Sequence, residues 1–400
     1  MPENAAVHPL IVGSAKAGVR AIALLVVVQS CKLFDREPAR LSFYARDTGQ
    51  LLWENAQVPM HGQPWIGPNA VYVLGPTHEV QALNKFTGAA LWKRTLPVQR
   101  GGTVGFGGVR SDRGVLYVGD ERLFALDEKD GTILWEFSSS LGVDIGRDTP
   151  VLWNDIVMVG SSNGYVIGVD ALTGVEKWRT VLIAPERGVG TWVAPVVAGR
   201  LLVGATDFRV GQPRGQLASL DAATGTIKWT RNIPVHLAAS SPSATSDAVG
   251  TPSVAIAAST DGPVYGYDLA SGDPKWKIPP IPMTDPPRPD SLIRDFRELV
   301  VCSNLLVVTS TLQIIIAADP ETGREIWRTS NAYGSPLQVS CDNRSVFVMT
   351  WGSALEVFEL TTGRKRWELA EKKLFGWSVT PDGDRVFGGG LGGAVAARNP

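Results

Sequence analysis

A chain of 400 residues with 38 basic and 39 acidic side chains, net charge −1 and 44% hydrophobic residues has the composition of a folded globular protein, not a disordered one. It shows no long run of either charge and so no electrostatic footprint for nucleic acid. Its 43 glycines and 27 prolines suit a turn-dense all-β chain.

Residues 1–23 form an N-terminal segment. The stretch KAGVRAIALLVVVQSC places Lys16 and Arg20 before an apolar run, Ala21 to Val28, that ends at Cys31. That run is too short to span a membrane. It reads either as a lipoprotein signal, with Cys31 lipidated, or as a β-strand over residues 24–30. The first reading places the chain on the periplasmic side of the cell envelope, the second in the cytoplasm; the envelope is the favoured expectation.

From residue 43 onward one element recurs. FYARDTGQLLW ends at Trp53, and further copies end at Trp92, Trp135, Trp178, Trp229, Trp276, Trp327 and Trp367. The spacing of 39 to 51 residues, with several short strands per unit, is the signature of a propeller with about four strands to a blade. The unit that begins at Thr149 illustrates it. TPVLW is an inner strand and IVMVGSS a second; Asn163-Gly164 turns the hairpin; YVIGVD is a third strand, and VEKWRT is the outer one. In the turn Asp170 and Thr173 bond their own backbone, Gly174 takes a left-handed conformation, and Trp178 presents a flat surface and one N–H donor to the neighbouring blade. Eight tryptophans at one structural position make a structural girdle, not a catalytic set.

After Trp367, the segment FGWSVTPDGDRVFGGGLGGAVAARNP holds first, second and third strands but no Thr-Gly turn or tryptophan. It is expected to join the LSFYAR/QLLWEN hairpin at the other end, because a ring leaves no open edge only when its ends interlock. The expected fold is therefore an eight-bladed β-propeller of four-stranded antiparallel blades, one domain over residues 24–400.

The (Ala-Leu-Asp)-x-x-Thr-Gly-x-x-x-Trp element resembles the repeat of the pyrroloquinoline-quinone (PQQ) type propeller family over about residues 24–400. That resemblance implies several activities, because the family holds quinoprotein dehydrogenases, sensor domains and the assembly lipoprotein BamB. The dehydrogenases run to about six hundred residues, sandwich PQQ between a tryptophan and a disulfide of adjacent cysteines, and hold Ca²⁺ with Glu, Asn and Asp. This chain has no adjacent cysteine pair. Oxygen ligands for such an ion would have to converge on the channel mouth; Asp144, Asp148, Asp295 and Glu298 are the candidates for one rim, and no spacing fixes their geometry. In length and loop style the chain is more similar to BamB. The expectation is a non-enzymatic scaffold of the cell envelope, a monomer within a complex, that binds protein partners and no nucleic acid, meets the membrane only through a lipid anchor and needs no cofactor. A PQQ- and Ca-dependent oxidoreductase and a sugar- or polymer-sensing propeller are the alternatives.

Features that break the repeat mark the candidate binding surface. The stretch 277–298 carries six prolines, which hold it extended; it reads as a docking loop or as an ornamental insertion. Residues 206–216 and 31–40 are further excursions. At the channel mouth, His61, Trp65, Arg147, Asp148, Trp192, His236, Arg297, Tyr333 and Trp377 either form a funnel for a small ligand or peptide or plug a wide channel. GSSNG (160–164) and GGGLGG (388–393) read as glycine-rich hairpins, not as a nucleophile elbow or a phosphate loop. The histidines His8, His61, His78 and His236 share no metal-ligand spacing. Of the three cysteines, Cys302 and Cys341 are expected as buried free thiols, with one bridge between them as the alternative.

Overall fold

The computed structural model of the chain describes residues 39–391, apart from 56–57, 59–63, 76, 99–107, 140–144, 146–148, 184–188, 208–213, 234–242, 247–251, 259–262, 280–295, 311, 335, 351–353, 371–374 and 383–384. Cys31 and the proposed strand over 24–30 lie outside the described residues.

Seven four-stranded antiparallel sheets are each built from consecutive strands. Blade 1 runs from Trp65 to Thr95, blade 2 from Val109 to Phe137, blade 3 from Val151 to Val181 and blade 4 from Val189 to Ile233. Blade 5 runs from Ser243 to Ile278, blade 6 from Phe296 to Ser330 and blade 7 from Pro336 to Ala370. The remaining four-stranded sheet is of another kind. Its outer hairpin is Ala39–Ala45 and Leu51–Asn55, and its inner one is Phe375–Asp382 and Arg385–Leu391.

The expected count of eight is corrected accordingly. Seven blades are continuous, and the copy ending at Trp53 makes no blade of its own. It supplies half of a closing sheet whose other half comes from the far end of the chain. Ala39 to Ala45 pair with Leu391 to Arg385 in seven unbroken steps, so the four places of this sheet are filled without residues 24–30.

The second and third strands of a blade are buried on both faces. Ile156–Gly160 is buried throughout, as its apolar run IVMVG requires. Outer strands alternate, as in Ile133–Phe137, where every second residue is exposed. First strands lie against first strands of adjacent blades, for example blade 6 on blade 7 and blade 7 on the closing sheet, and so line the centre. Apolar side chains fill each interface. Leu74, Val80, Leu116 and Phe124 join blades 1 and 2, and Tyr44, Val386, Phe347 and Leu369 join the closing sheet to blade 7.

The repeat turn works between blades as well as within them. Asp170 Oδ1 accepts the N–H groups of Leu172 and Thr173 at 3.1 and 2.9 Å and the Thr173 hydroxyl at 2.9 Å. Gly174 has φ +71, and a Cβ there would lie 2.8 Å from the Trp135 ring of the preceding blade. Glycine is thus fixed by backbone sign and by the tryptophan beneath it. Trp135 Nε1 in turn donates to Ala171 O at 3.1 Å. Trp53 donates likewise to Lys85 O, Trp92 to Glu128 O, Trp229 to Leu269 O, Trp276 to Pro320 O, Trp327 to Leu360 O and Trp367 to Arg46 O, at 2.7 to 3.1 Å. Trp178 differs, because its Nε1 is buried with no partner among the described residues.

Two local expectations are corrected. Cys302 and Cys341 form a disulfide, with Cα atoms 6.0 Å apart, instead of remaining free thiols. Each ends the first strand of its blade, 6 and 7, and ring packing brings those strand ends together. Gly388, Gly389 and Gly390 sit inside a strand, not in a hairpin, paired with Ser42, Leu41 and Arg40 on one side and Val379, Ser378 and Gly376 on the other. GSSNG is a hairpin: Ser161 Oγ accepts the Tyr165 N–H at 2.9 Å, and Ser161 is held in its own turn.

Candidate interaction site

Second-to-third-strand hairpins and inter-blade linkers share one face of the ring, because strands alternate direction within each blade. On that face the proposed mouth residues are dispersed. Trp65, on the first strand of blade 1, is half-buried against the core between blades 1 and 2. The Arg110 guanidinium of blade 2 lies 4.4 Å over its ring, a cation–π contact between two inner strands. Trp192 lies on the first strand of blade 4, half-buried and opposite Gly204.

Tyr333, in the linker into blade 7, is held by a carboxylate cluster. Its hydroxyl donates to Glu368 Oε1 at 2.6 Å. The fully buried Glu356 accepts the N–H groups of Ala332 and Tyr333 at 2.9 and 3.3 Å. Lys365 Nζ lies 2.6 Å from Glu356 and 2.8 Å from Glu368. Burial works against the charged form of Glu368, but hydrogen bonds from Lys365 and Tyr333 outweigh it and hold the carboxyl below the usual range. Burial also opposes the Lys365 charge, and the two glutamates outweigh it and raise its pKa. This cluster ties the linker to blade 7 through the Tyr333 hydroxyl and backbone.

Arg297 and Trp377 lie on the first strand of blade 6 and the innermost strand of the closing sheet, with their side chains outside the described set. His61, Arg147, Asp148 and His236 lie outside the described residues, as does most of 277–298. Of the 206–216 excursion, Thr206 and Asp207 end the second strand of blade 4 and Arg214 to Gln216 begin the third, and 208–213 lie outside the described residues. The described candidates therefore sit on separate blades.

Sequence reasoning missed one tie on this face. His78 Nδ1 lies 2.7 Å from Asp120 Oδ2, both side chains buried, linking the hairpins of blades 1 and 2. The positive φ of His78, +59, belongs to that tight turn, and its partner 42 residues away gives no local signal.

The described residues hold no adjacent-cysteine disulfide of the quinoprotein dehydrogenase kind. The disulfide joins two blades across 39 residues and offers no adjacent-cysteine ring to stack on a quinone. Among the described residues no group of three or more His, Cys, Asp or Glu is placed to hold a metal ion.

Three comparisons bear on kinship. The outer membrane protein assembly factor BamB of Moranella endobia is 23% identical over 354 residues, 84% of each chain. The quinohemoprotein alcohol dehydrogenase ADH IIB of Pseudomonas putida is 27% identical over 184 residues, 42% of this chain and 26% of the enzyme. The crystal structure of BamB from Moraxella catarrhalis superposes with a TM-score of 0.58 at 18% identity, over 78% of this chain and 89% of that one, a likeness of fold. The sequence profile described as outer membrane protein assembly factor BamB matches residues 37–278, 187–367 and 311–399. Matched over nearly the whole propeller, the chain belongs to the BamB family of PQQ-type propellers.

Proposed function

We propose that this chain is a non-enzymatic scaffold of the cell envelope that binds protein partners during outer-membrane protein assembly. The observation that carries the reading is the match to a BamB over 84% of both chains, against coverage of only 26% of the quinohemoprotein dehydrogenase. The Cys302–Cys341 disulfide adds support, since such bonds persist in oxidising compartments. The completeness of the closing sheet without residues 24–30 favours the lipoprotein reading of that stretch, with Cys31 as the anchored residue and the propeller on the periplasmic side.

The test is deletion of the gene in its own organism, with complementation by the full chain and by Cys31→Ser. The expected result is less folded β-barrel protein in purified outer membranes, restored by the full chain, and loss of membrane association in Cys31→Ser. Unchanged barrel protein in the deletion, or saturable Ca²⁺-dependent PQQ binding by the purified chain, would overturn the reading.

A further inference from the structure

The fourth strand of every blade has one open backbone edge, a template for pairing that proteins commonly guard with charge. The residue just before the repeat tryptophan sits on that edge. In blades 3, 4, 5 and 7 it is Lys177, Lys228, Lys275 and Arg366, all exposed. In the closing sheet and blades 1 and 2, three neighbours in the ring, it is Leu52, Leu91 and Leu134, 47, 54 and 52% exposed. Phe86 on the blade 1 turn is 53% exposed, and Leu51 adjoins Leu52. The tryptophans of these three sheets are only half-buried, as is Trp276 of blade 5, whereas Trp178, Trp229, Trp327 and Trp367 are buried. Ile326 repeats the apolar choice on blade 6, but between two basic neighbours.

Charge singles out one edge within this arc. The outer hairpin of blade 1, residues 84–95, carries Lys85, Lys93 and Arg94 and no carboxylate. Asn84 stands where the other continuous blades have Asp127, Asp170, Asp221, Asp268, Asp319 and Glu359, and the closing hairpin holds Asp47 and Glu54. Lys93 meets Glu79 of the adjacent strand at 2.6 Å, and Arg94 Nε donates to the Gly131 carbonyl at 2.8 Å, beside Asp130 of blade 2.

We propose that the outer strand of blade 1, Ala90–Thr95, docks an extended acidic segment of a partner protein as a fifth strand. Backbone hydrogen bonds to the open edge give affinity, and alternate side chains give selectivity. Apolar side chains of the partner meet Leu91 and Phe86, and its carboxylates face the basic hairpin. This inference rests on the scaffold reading and names its surface and the chemistry of its partner.

The test uses the full chain and a fluorescein-labelled decapeptide of alternating valine and glutamate. Its comparators are the valine–lysine decapeptide, vesicles of phosphatidylcholine with phosphatidylglycerol, and light scattering for self-association. Leu91→Ser removes the apolar contact on blade 1 without changing its charge, and Ile326→Ser is the control. The acidic peptide is expected to bind the wild type, at least tenfold more weakly to Leu91→Ser, and unchanged to Ile326→Ser. Bound peptide should slow amide exchange over 90–95, with melting temperatures equal throughout. Equal binding by Leu91→Ser, preference for the basic peptide, or vesicle binding or dimerisation that Leu91→Ser abolishes in its place would overturn the proposal. Failure here with intact complementation removes the edge and spares the scaffold; a silent gene deletion with Leu91-dependent peptide binding does the reverse.

Discussion

Blade 3 and the closing sheet have the same four-stranded plan and opposite origins. Blade 3 spans Val151 to Val181, and its strands meet through short hairpins. The closing sheet pairs Ala39 with Leu391, so its ladder closes a loop of nearly the whole chain. Their turns differ in the same sense. Asp170 organises the blade 3 turn locally, whereas the closing turn has Ala45 in that place and draws on distant groups. Arg46 Nη1 donates to Asp342 Oδ2 at 3.1 Å, Arg366 Nη2 to Asp47 at 3.5 Å, and Trp367 to the Arg46 carbonyl at 2.7 Å. A blade is written in its own thirty residues, while the closure is written in contacts between blade 7 and both chain ends.

The sharpest way to break this comparison is proline in the shared ladder. Val386 is buried in a strand flanked on both sides, opposite Tyr44 and Pro381. Val386→Pro removes an N–H from an interior strand and should cost about 3 kcal/mol or more. Leu134→Pro, at the bulge of the open blade 2 edge, should cost clearly less. Urea unfolding of both variants checks the order; equal losses would mean that the closure is no more critical than any edge.

A finer cut uses two tryptophans at the same repeat position. Trp367 and Trp178 are both buried, but only Trp367 donates its Nε1, to Arg46 O. Phenylalanine removes similar volume at each. Trp367→Phe also leaves a carbonyl without its donor, whereas Trp178→Phe removes a buried N–H that had no partner. The first should therefore be more destabilising than the second by about 1 kcal/mol, read as the difference in urea midpoints at equal slope.

The same distinction explains what the sequence made legible. Hairpins, the turn with its aspartate and glycine, and the tryptophan period could be read because each depends on residues close in the chain or on a repeated copy. The seven continuous blades and the half-sheet at each end follow from that, although eight repeat copies invite counting eight equivalent blades. The Cys302–Cys341 disulfide was legible only as the alternative to free thiols, because its partners are 39 residues apart and meet only once the ring sets the spacing of inner strands. Tyr333 was read as a mouth residue; its partner Glu368 lies 35 residues on. Glu356 gave no signal because in ALEVFE it looks solvent-facing, whereas this third strand is buried and Lys365 and the linker N–H groups meet the carboxylate there. The candidate mouth residues fall on aperiodic stretches of sequence, where no repeat supplies a register, and His61, Arg147, Asp148 and His236 lie outside the described residues.

The smallest expected effect concerns charge in the blade 3 turn. The Lys177 ammonium, with the N–H and hydroxyl of Thr173, holds the Asp170 carboxyl down at about 2, against an ordinary value of about 4. A depressed carboxylate stabilises the fold above its unfolded pKa. That contribution fades as pH falls from about 4 towards 2 and is absent below. Water screens this exposed group, so the effect should be about 0.5 kcal/mol. Asp170→Asn separates charge from geometry, because blade 1 already uses asparagine there: Asn84 Oδ1 accepts the Phe86 and Thr87 N–H groups at 2.9 and 3.0 Å. The variant should keep its turn, lose that small increment at pH 7 and match the wild type near pH 2. A deficit that persists at pH 2 would assign the role of Asp170 to turn geometry instead of charge.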